Sequence, residues 1–191
     1  SLESLIGREQ LQRWSSSLTY VDGLQVELFG GLNFDGLIQR QYEETIDLDD
    51  SYITSAGGDG DTWSIRAYGE IQAYTTGTNT WVSYHDDRLR IWTNEELLVN
   101  DPTVNPREEI SFSAINLIAG EWYSFKIEFA EDTEISTLEL RQSVDGPLVP
   151  KEQLRFNTKA PVFQSAATST DGTKVVLTYD EALSFEEASD W

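Results

Sequence analysis

The feature that most constrains this chain is a succession of short β-type segments, with no sustained helical period between residues 18 and 157. The segments are rich in Val, Ile, Thr, Tyr, Phe and Trp, and Gly, Asn and Asp separate them. This pattern predicts an all-β fold, an antiparallel β-sandwich or barrel. The predicted strands cover residues 24–30, 63–74, 79–86, 88–94, 108–118, 122–130 and 135–143. The tryptophans at alternating strand positions, which are expected in the core, are Trp63, Trp81, Trp92 and Trp122.

The composition changes at both ends of this region. Residues 1–17 carry Leu and Ile near helical spacing before a serine run, which predicts a short helix or a linker. Residues 158–191 open with a Lys-Ala-Pro linker and continue into two strand-like segments. About 30 residues cannot close a sandwich of roughly 100. This end is therefore either a truncated immunoglobulin-like module, which we favour, or an extension packed on the main domain. The main domain is expected to span residues 18–157.

The charge of the chain excludes several classes of partner. With 34 acidic and 13 basic residues, the formal net charge is −21. Such a chain repels phosphate backbones and anionic lipids, so neither nucleic acid binding nor membrane insertion is expected. The absence of cysteine excludes disulfides and thiolate metal sites, and the single histidine, His85, excludes catalytic histidine pairs and histidine-triad zinc sites. Divalent cations are the natural counterions of so acidic a chain.

The segment YHDDRLRIW, residues 84–92, contains two adjacent aspartates inside a predicted strand. Successive side chains of a strand point to opposite faces of the sheet, so a regular strand would separate the carboxylates of Asp86 and Asp87. Taken alone, the pair indicates either a solvated bulge or turn at a strand end, or two carboxylates that serve one ligand.

Three ordered blocks resemble the PA-fourteen domain, a protective-antigen-type β-sandwich found in yeast flocculins, bacterial toxins, glycosidases and large bacterial adhesins. The opening block is GLNFDGLIQRQYEETIDLD, residues 31–49. In the central block, residues 63–101, an S-x-R-x-x-G-x-I-x-A strand leads through a Gly-Thr turn to the Asp-Asp pair and an R-x-W strand. The closing block, residues 115–143, contains an L-x-A-G-x-x-Y turn. Residues 160–183 are similar to the immunoglobulin-like repeats of repeats-in-toxin adhesins.

The resemblance implies a calcium site at the aspartate pair. In lectin members of the family the pair is joined by a cis peptide and binds Ca²⁺, so Asp86 and Asp87 are the expected primary ligands. Calcium takes six to eight oxygens, and a later loop of the family aligns here with RQSVDGPL. The further expected ligands are Gln142, Ser143, Val144, Asp145 and Gly146. The residues expected to contact carbohydrate are Asp86, Asp87, Tyr84, His85 and Arg88, the last in place of the glycine of many members.

By this resemblance, the chain is expected to be a calcium-dependent lectin module of a large secreted bacterial cell-surface adhesin. The expected partners are cell-surface glycans or polysaccharides, bound through hydroxyls such as those of fucose, glucose or mannose, and neighbouring domains of the same chain. The chain contains no methionine and is expected to be an excised piece of a larger protein, monomeric as a fragment and extracellular.

Two other functions stay open, a calcium-rigidified structural or protein-binding module and an accessory domain of a glycosidase. Catalysis by the chain itself is not expected. A glycosidase places its two carboxyl groups about 5–9.5 Å apart on either side of the scissile bond. Adjacent carboxylates that face one way cannot straddle a glycosidic bond.

Overall fold

The computed structural model describes residues 20–58, 62–104, 107–132, 136–158, 163–168 and 175–179. The chain divides into two compact units, one extending from Val21 to Phe156 and one that includes the segments 163–168 and 175–179. The predicted helix or linker at residues 1–17 lies outside the described residues.

The strands and the short helix follow one another along the chain in a simple order. They are β1 (Tyr20–Asp22), β2 (Leu24–Phe29), β3 (Leu37–Glu43), β4 (Asp47–Asp49), α1 (Asp50–Ser55), β5 (Trp63–Gln72), β6 (Gly77–Asp86), β7 (Arg88–Thr93), β8 (Glu96–Asp101), β9 (Glu108–Leu117), β10 (Trp122–Glu131), β11 (Thr137–Arg141), a 3₁₀ turn (Lys151–Gln153), β12 (Leu154–Asn157), β13 (Phe163–Thr168) and β14 (Val175–Tyr179). No helix in the described part of the chain has the length and apolar character needed to cross a membrane.

Two sheets form the larger unit. In one sheet the strand order is β1-β12-β5-β10-β7-β8, and β2 pairs with both β5 and β3. In the other sheet the order is β4-β11-β6-β9. The central pairs β10–β5, β10–β7, β11–β6 and β6–β9 are antiparallel. The antiparallel β-sandwich predicted from the sequence is therefore confirmed.

The strands β13 and β14 form an antiparallel hairpin of their own. They lie in the segment predicted to start an immunoglobulin-like module. The remainder of residues 159–191 is outside the described part of the chain. The identity of this module therefore stays a prediction.

The core is filled by alternate residues of the central strands. Trp63 of β5 and Phe129 of β10 are buried from one sheet, and Trp81 of β6 and Phe112 of β9 are buried from the other. The ring centroids of Trp63 and Phe129 lie 5.4 Å apart in an edge-on arrangement, and those of Trp81 and Phe112 lie 6.0 Å apart. Aromatic pairs of this kind add to the stabilisation that burial of their apolar surface provides.

The expectation that all four tryptophans lie in the core is wrong for Trp92 and Trp122. Both are only partly buried. Lys126 Nζ lies 4.0 Å from the ring centroid of Trp92, and the guanidinium carbon of Arg155 lies 4.1 Å from that of Trp122. In β7 the core positions belong to Leu89 and Ile91, so strand alternation turns Trp92 to the outer face, where cations cover it.

The side chain of Asn79 organises the connection between β5 and β6. Asn79 is fully buried. Its Oδ1 accepts hydrogen bonds from the backbone N–H groups of Tyr74 at 2.8 Å and Thr75 at 3.2 Å, and its Nδ2 donates to the Thr75 carbonyl at 2.9 Å. One amide therefore replaces the backbone partners that the turn lacks.

Replacing Asn79 with alanine is expected to lower the free energy of unfolding by about 2–3 kcal/mol, since each lost hydrogen bond costs roughly 1 kcal/mol net. Urea unfolding of Asn79→Ala measures the change. Asn100→Ala is the matched control, because Asn100 is exposed on β8, and it should shift stability by no more than about 0.5 kcal/mol. Equal stability of the two variants would show that the turn does not depend on this amide.

Candidate functional site

The aspartate pair lies where the chain passes from one sheet to the other. β6 ends at Asp86 in the four-stranded sheet and β7 begins at Arg88 in the larger sheet, so Asp87 alone connects the two strands. The peptide bond between Asp86 and Asp87 is cis, as the family resemblance implied. Both carboxylates therefore belong to a corner of the sandwich rather than to a strand interior.

Asp87 is held in place by the end of β10. It is only 3% exposed, and its Oδ2 accepts a hydrogen bond from the backbone N–H of Asp132 at 2.8 Å. The antiparallel register of β10 with β7, in which Ala130 lies opposite Arg88, brings Asp132 to this corner. The orientation of the Asp87 carboxylate is therefore fixed by a main-chain donor.

Asp132 is a third acidic residue at the corner, and the sequence reasoning missed it. Its Oδ2 lies 3.1 Å from Arg88 Nη2, so Arg88 offsets part of the negative charge and is tied to Asp132. A signal was present in the sequence, because Asp132 follows the predicted strand 122–130 within the acidic run EFAED. The pairing of that strand with β7 was the missing information.

Asp86 has a further acidic neighbour across β11. It is half-buried and lies opposite Thr137 of β11, whose partner on the other side is Asp49 of β4. With strands about 4.8 Å apart, Asp49 lies roughly 10 Å from Asp86, which is too far to share an ion but near enough to add negative potential. The hydrogen bond from the Ser51 hydroxyl holds the pKa of Asp49 below its usual value.

The predicted ligand loop lies elsewhere, so this part of the prediction is wrong. β11 pairs with β6 such that Thr137 faces Asp86 and Arg141 faces Val82. Residues 142–146 follow the far end of β11, roughly 17 Å from Asp86 at about 3.4 Å per residue. Calcium–oxygen distances are about 2.3–2.6 Å. The loop is therefore too far away to share an ion with the aspartate pair. Its residues are Gln142, Ser143, Val144, Asp145 and Gly146.

This loop forms a compact turn beside a different depression. The Gln142 N–H donates to the Pro147 carbonyl at 3.0 Å, and the Gly146 N–H donates to the Ser143 carbonyl at 2.9 Å. Gln142, Ser143 and Tyr74 line a cleft of about 340 Å³. These backbone hydrogen bonds stabilise the RQSVDGPL segment as a turn. The turn lies at the end of the four-stranded sheet that is opposite to Asp86.

Tyr84 lies on the same face of β6 as Asp86, because the two residues are two positions apart on one strand. The guanidinium carbons of Arg107 and Arg141 lie 5.0 Å and 5.5 Å from the centroid of its ring. Both arginines also pair with Glu139. The ring is therefore held by neighbouring side chains on the outer face of the four-stranded sheet, beside the aspartate pair.

His85 points the opposite way from Tyr84, so the prediction that it contacts a sugar is wrong. It is 1% exposed, since strand alternation turns it to the inner face of β6. Burial lowers the pKa of His85, and the opposing effect of Asp101 does not restore it. The imidazole is therefore neutral near pH 7 and inaccessible to a ligand on the outer surface.

The chemistry of the corner fits a calcium ion. Asp86 and Asp87 provide carboxylate oxygens, the hard donors that Ca²⁺ prefers, and Asp87 is already oriented by a backbone hydrogen bond. The Asp132 carboxylate is paired with Arg88 instead. Two carboxylates provide fewer than the six to eight oxygens that calcium takes. Water, or the hydroxyls of a ligand, would supply the others.

Comparison with known proteins places this architecture in a family. The family model of the PA14 domain, the PA-fourteen domain that the sequence resembles, matches residues 21–155 of this chain. The anti-sigma-I factor RsgI3 of Acetivibrio thermocellus is 26% identical over 136 residues, which are 69% of this chain and 21% of the relative. The chain therefore spans about a fifth of the length of this curated relative.

Two solved structures illustrate the likeness of the folds. An anti-sigma factor domain-containing protein has a TM-score of 0.64 and 24% identity, covering 77% of this chain and 51% of that chain. The PA14 sugar-binding domain from an RTX adhesin has a TM-score of 0.57 and 16% identity, covering 72% of this chain and 99% of that domain. Because the family model covers well over half of the 191 residues, the chain belongs to the PA14 domain family.

Proposed function

We propose that the unit from Val21 to Phe156 is a calcium-dependent carbohydrate-binding module. The observation that carries the proposal is the corner at Asp86-Asp87, where two adjacent carboxylates lie between the two sheets and the Asp132 N–H orients one of them. Adjacent hard oxygen donors at one corner of the sandwich suit the chemistry of a calcium site. The likeness to a domain named as sugar-binding supports the second half of the proposal.

The residues at the corner divide the work of binding. Asp86 and Asp87 would hold the ion, and Asp132 would add negative charge while its backbone N–H keeps the Asp87 carboxylate oriented. Bound calcium would supply a hard cation with coordination positions open to vicinal sugar hydroxyls. Arg88, anchored to Asp132, and Tyr84, on the face of Asp86, would flank the sugar.

The wider setting is also a proposal. We favour a module of a secreted bacterial cell-surface adhesin that binds glycans or polysaccharides, with neighbouring domains in the same chain. Single-site affinity would then be weak, and many copies would supply avidity. A likeness to an anti-sigma factor as well as to an adhesin domain indicates that this module occurs in proteins of different overall function.

A thermal melt of the chain in EDTA, in calcium, and in calcium plus a panel of fucose, glucose, mannose and galactose tests the proposal. A ligand at about 100 times its dissociation constant stabilises by about 2.7 kcal/mol, roughly 5–10 °C for a chain of this size. We expect calcium to raise the midpoint, and at least one sugar to raise it further only when calcium is present.

The other outcomes of the melt are equally informative. Stabilisation by calcium without any response to sugars or to polysaccharides would instead favour a calcium-rigidified structural or protein-binding module. No response to calcium would overturn the proposal, because the corner would then be a bend in the chain and not an ion site.

A further inference from the structure

A second group of metal-ligating side chains lies behind the corner, on the inner side of β6. It consists of His85 at the end of β6, Asp101 at the end of β8 and Glu108 at the start of β9. One ligand atom from each residue lies within 4.8 Å of those of the other two. The three residues come from both sheets, since β8 belongs to the larger sheet and β6 and β9 to the smaller one.

The spacing inside this group fits a shared metal ion as well as it fits a long hydrogen bond. His85 Nε2 lies 3.4 Å from Asp101 Oδ2, whereas good N–H···O bonds are about 2.7–3.2 Å long. Two ligands of a tetrahedral zinc ion, each bound at about 2.0–2.1 Å, are separated by roughly 3.3–3.4 Å. The observed distance is therefore compatible with two atoms that share one ion.

The buried imidazole also lacks a satisfactory partner. His85 is 1% exposed, its Nδ1 has no hydrogen-bond partner in the described part of the chain, and Nε2 has only the long contact to Asp101. Buried polar groups of native proteins are nearly always satisfied, so a buried imidazole with so few partners calls for an explanation. Nε2 is the nitrogen that faces Asp101, and an ion bound there would give it a closer partner than this long contact.

Asp101 is prepared to act as a ligand. Its Oδ1 accepts hydrogen bonds from the backbone N–H of Thr103 at 3.0 Å and from the Thr103 hydroxyl, which leaves Oδ2 turned towards His85. One oxygen of Asp101 is therefore positioned towards the group by the bonds that hold the other.

We propose that His85, Asp101 and Glu108 bind one divalent transition-metal ion of the zinc class, separate from the calcium site at Asp86-Asp87. One imidazole nitrogen with two carboxylates suits Zn²⁺ and its neighbours, whereas calcium prefers an all-oxygen shell. Glu108 is exposed, so the ion can enter from solvent and keep a water ligand. The bound ion would join β8 of one sheet to β6 and β9 of the other, directly behind the aspartate pair.

Cobalt titration of the tag-free, EDTA-treated chain tests this inference. Tetrahedral Co²⁺ with nitrogen and oxygen ligands gives a visible absorption band. We expect one equivalent to bind in excess calcium and to be displaced by Zn²⁺. Glu108→Gln should weaken binding at least about tenfold, as the loss of a metal ligand does. Glu109→Gln is the matched control, since Glu109 is an exposed neighbour outside the group, and it should bind as the unaltered chain does.

Two further results decide the matter. Asp101→Asn should weaken cobalt binding as Glu108→Gln does, and Asp87→Asn should leave it intact, because the two sites are separate. No visible band, or equal weakening by Glu108→Gln and Glu109→Gln, would overturn the inference. Either of those outcomes would leave the calcium proposal standing, since that proposal rests on other residues.

Discussion

Replacing Asp87 with asparagine is expected to abolish calcium-dependent stabilisation and sugar binding while leaving the fold intact. Asparagine is nearly isosteric with aspartate, and its side-chain oxygen can still accept the hydrogen bond from the Asp132 N–H. In the unaltered chain this bond is 2.8 Å long. What is lost is one of the two carboxylate charges proposed to hold the ion. Because ligand charge count tunes calcium affinity over several orders of magnitude, we expect the dissociation constant for Ca²⁺ to rise at least about a hundredfold, as measured by isothermal titration calorimetry.

Asp145→Asn is the matched control for this experiment. Asp145 belongs to the loop that the family alignment favoured, and the structure places that loop at the other end of β11. It adopts a φ of 52°, a left-handed conformation that asparagine tolerates as well as aspartate does. Calcium affinity should therefore be unchanged in Asp145→Asn. A loss in Asp145→Asn with none in Asp87→Asn would contradict the assignment of the site to the corner.

The sequence predicted the central strands well because they follow the rules of half-buried strands. In β5, β6 and β10 apolar residues at alternate positions fill the core, and the segments predicted for them agree with the observed strands within a few residues. β3, with the sequence LIQRQYE, was missed because it is largely exposed and pairs only with β2. Its residues lack the apolar alternation that marks a strand packed on a core.

β8 was missed for a different reason. The chain turns at Asn94 and Glu95, both at positive φ, as in the tight two-residue hairpins that join adjacent antiparallel strands. Glutamate at such a position is unusual, so the segment TNEEL did not read as a hairpin. β8 nevertheless carries Asp101 to the inner side of the corner, where it meets His85.

The aspartate pair was identified from the sequence, but its companions were not. Asp86 and Asp87 stand out because two carboxylates interrupt a strand. The ligand loop was misplaced because the register of β11 on β6, Thr137 opposite Asp86, is a long-range property that spacing along the chain does not reveal. The same applies to Asp132, which reaches the corner only through the pairing of β10 with β7.

A row of alternating charges crosses the larger sheet and shows how register also determines stability. Arg40 lies opposite Glu27, Glu27 opposite Arg66, Arg66 opposite Glu128, and Glu128 opposite Arg90, on the strands β3, β2, β5, β10 and β7. Opposite charges directly across a strand pair stabilise the pairing. Shifting any one strand by a single residue would place these charged groups on the core face.

Replacing Glu128 with glutamine is expected to lower the free energy of unfolding by about 3–5 kcal/mol, the usual cost of removing one partner of a buried ion pair. Glu128 is 1% exposed, and its carboxylate oxygens lie 3.2 Å from Arg66 Nε, Arg90 Nη2 and Lys126 Nζ. Glutamine keeps the size but not the charge, so two largely buried guanidiniums, those of Arg66 and Arg90, each lose a counterion. Urea unfolding of Glu128→Gln, with the exposed Glu121→Gln as control, measures the effect. A loss below about 1 kcal/mol would place Glu128 among surface ion pairs, which contribute little.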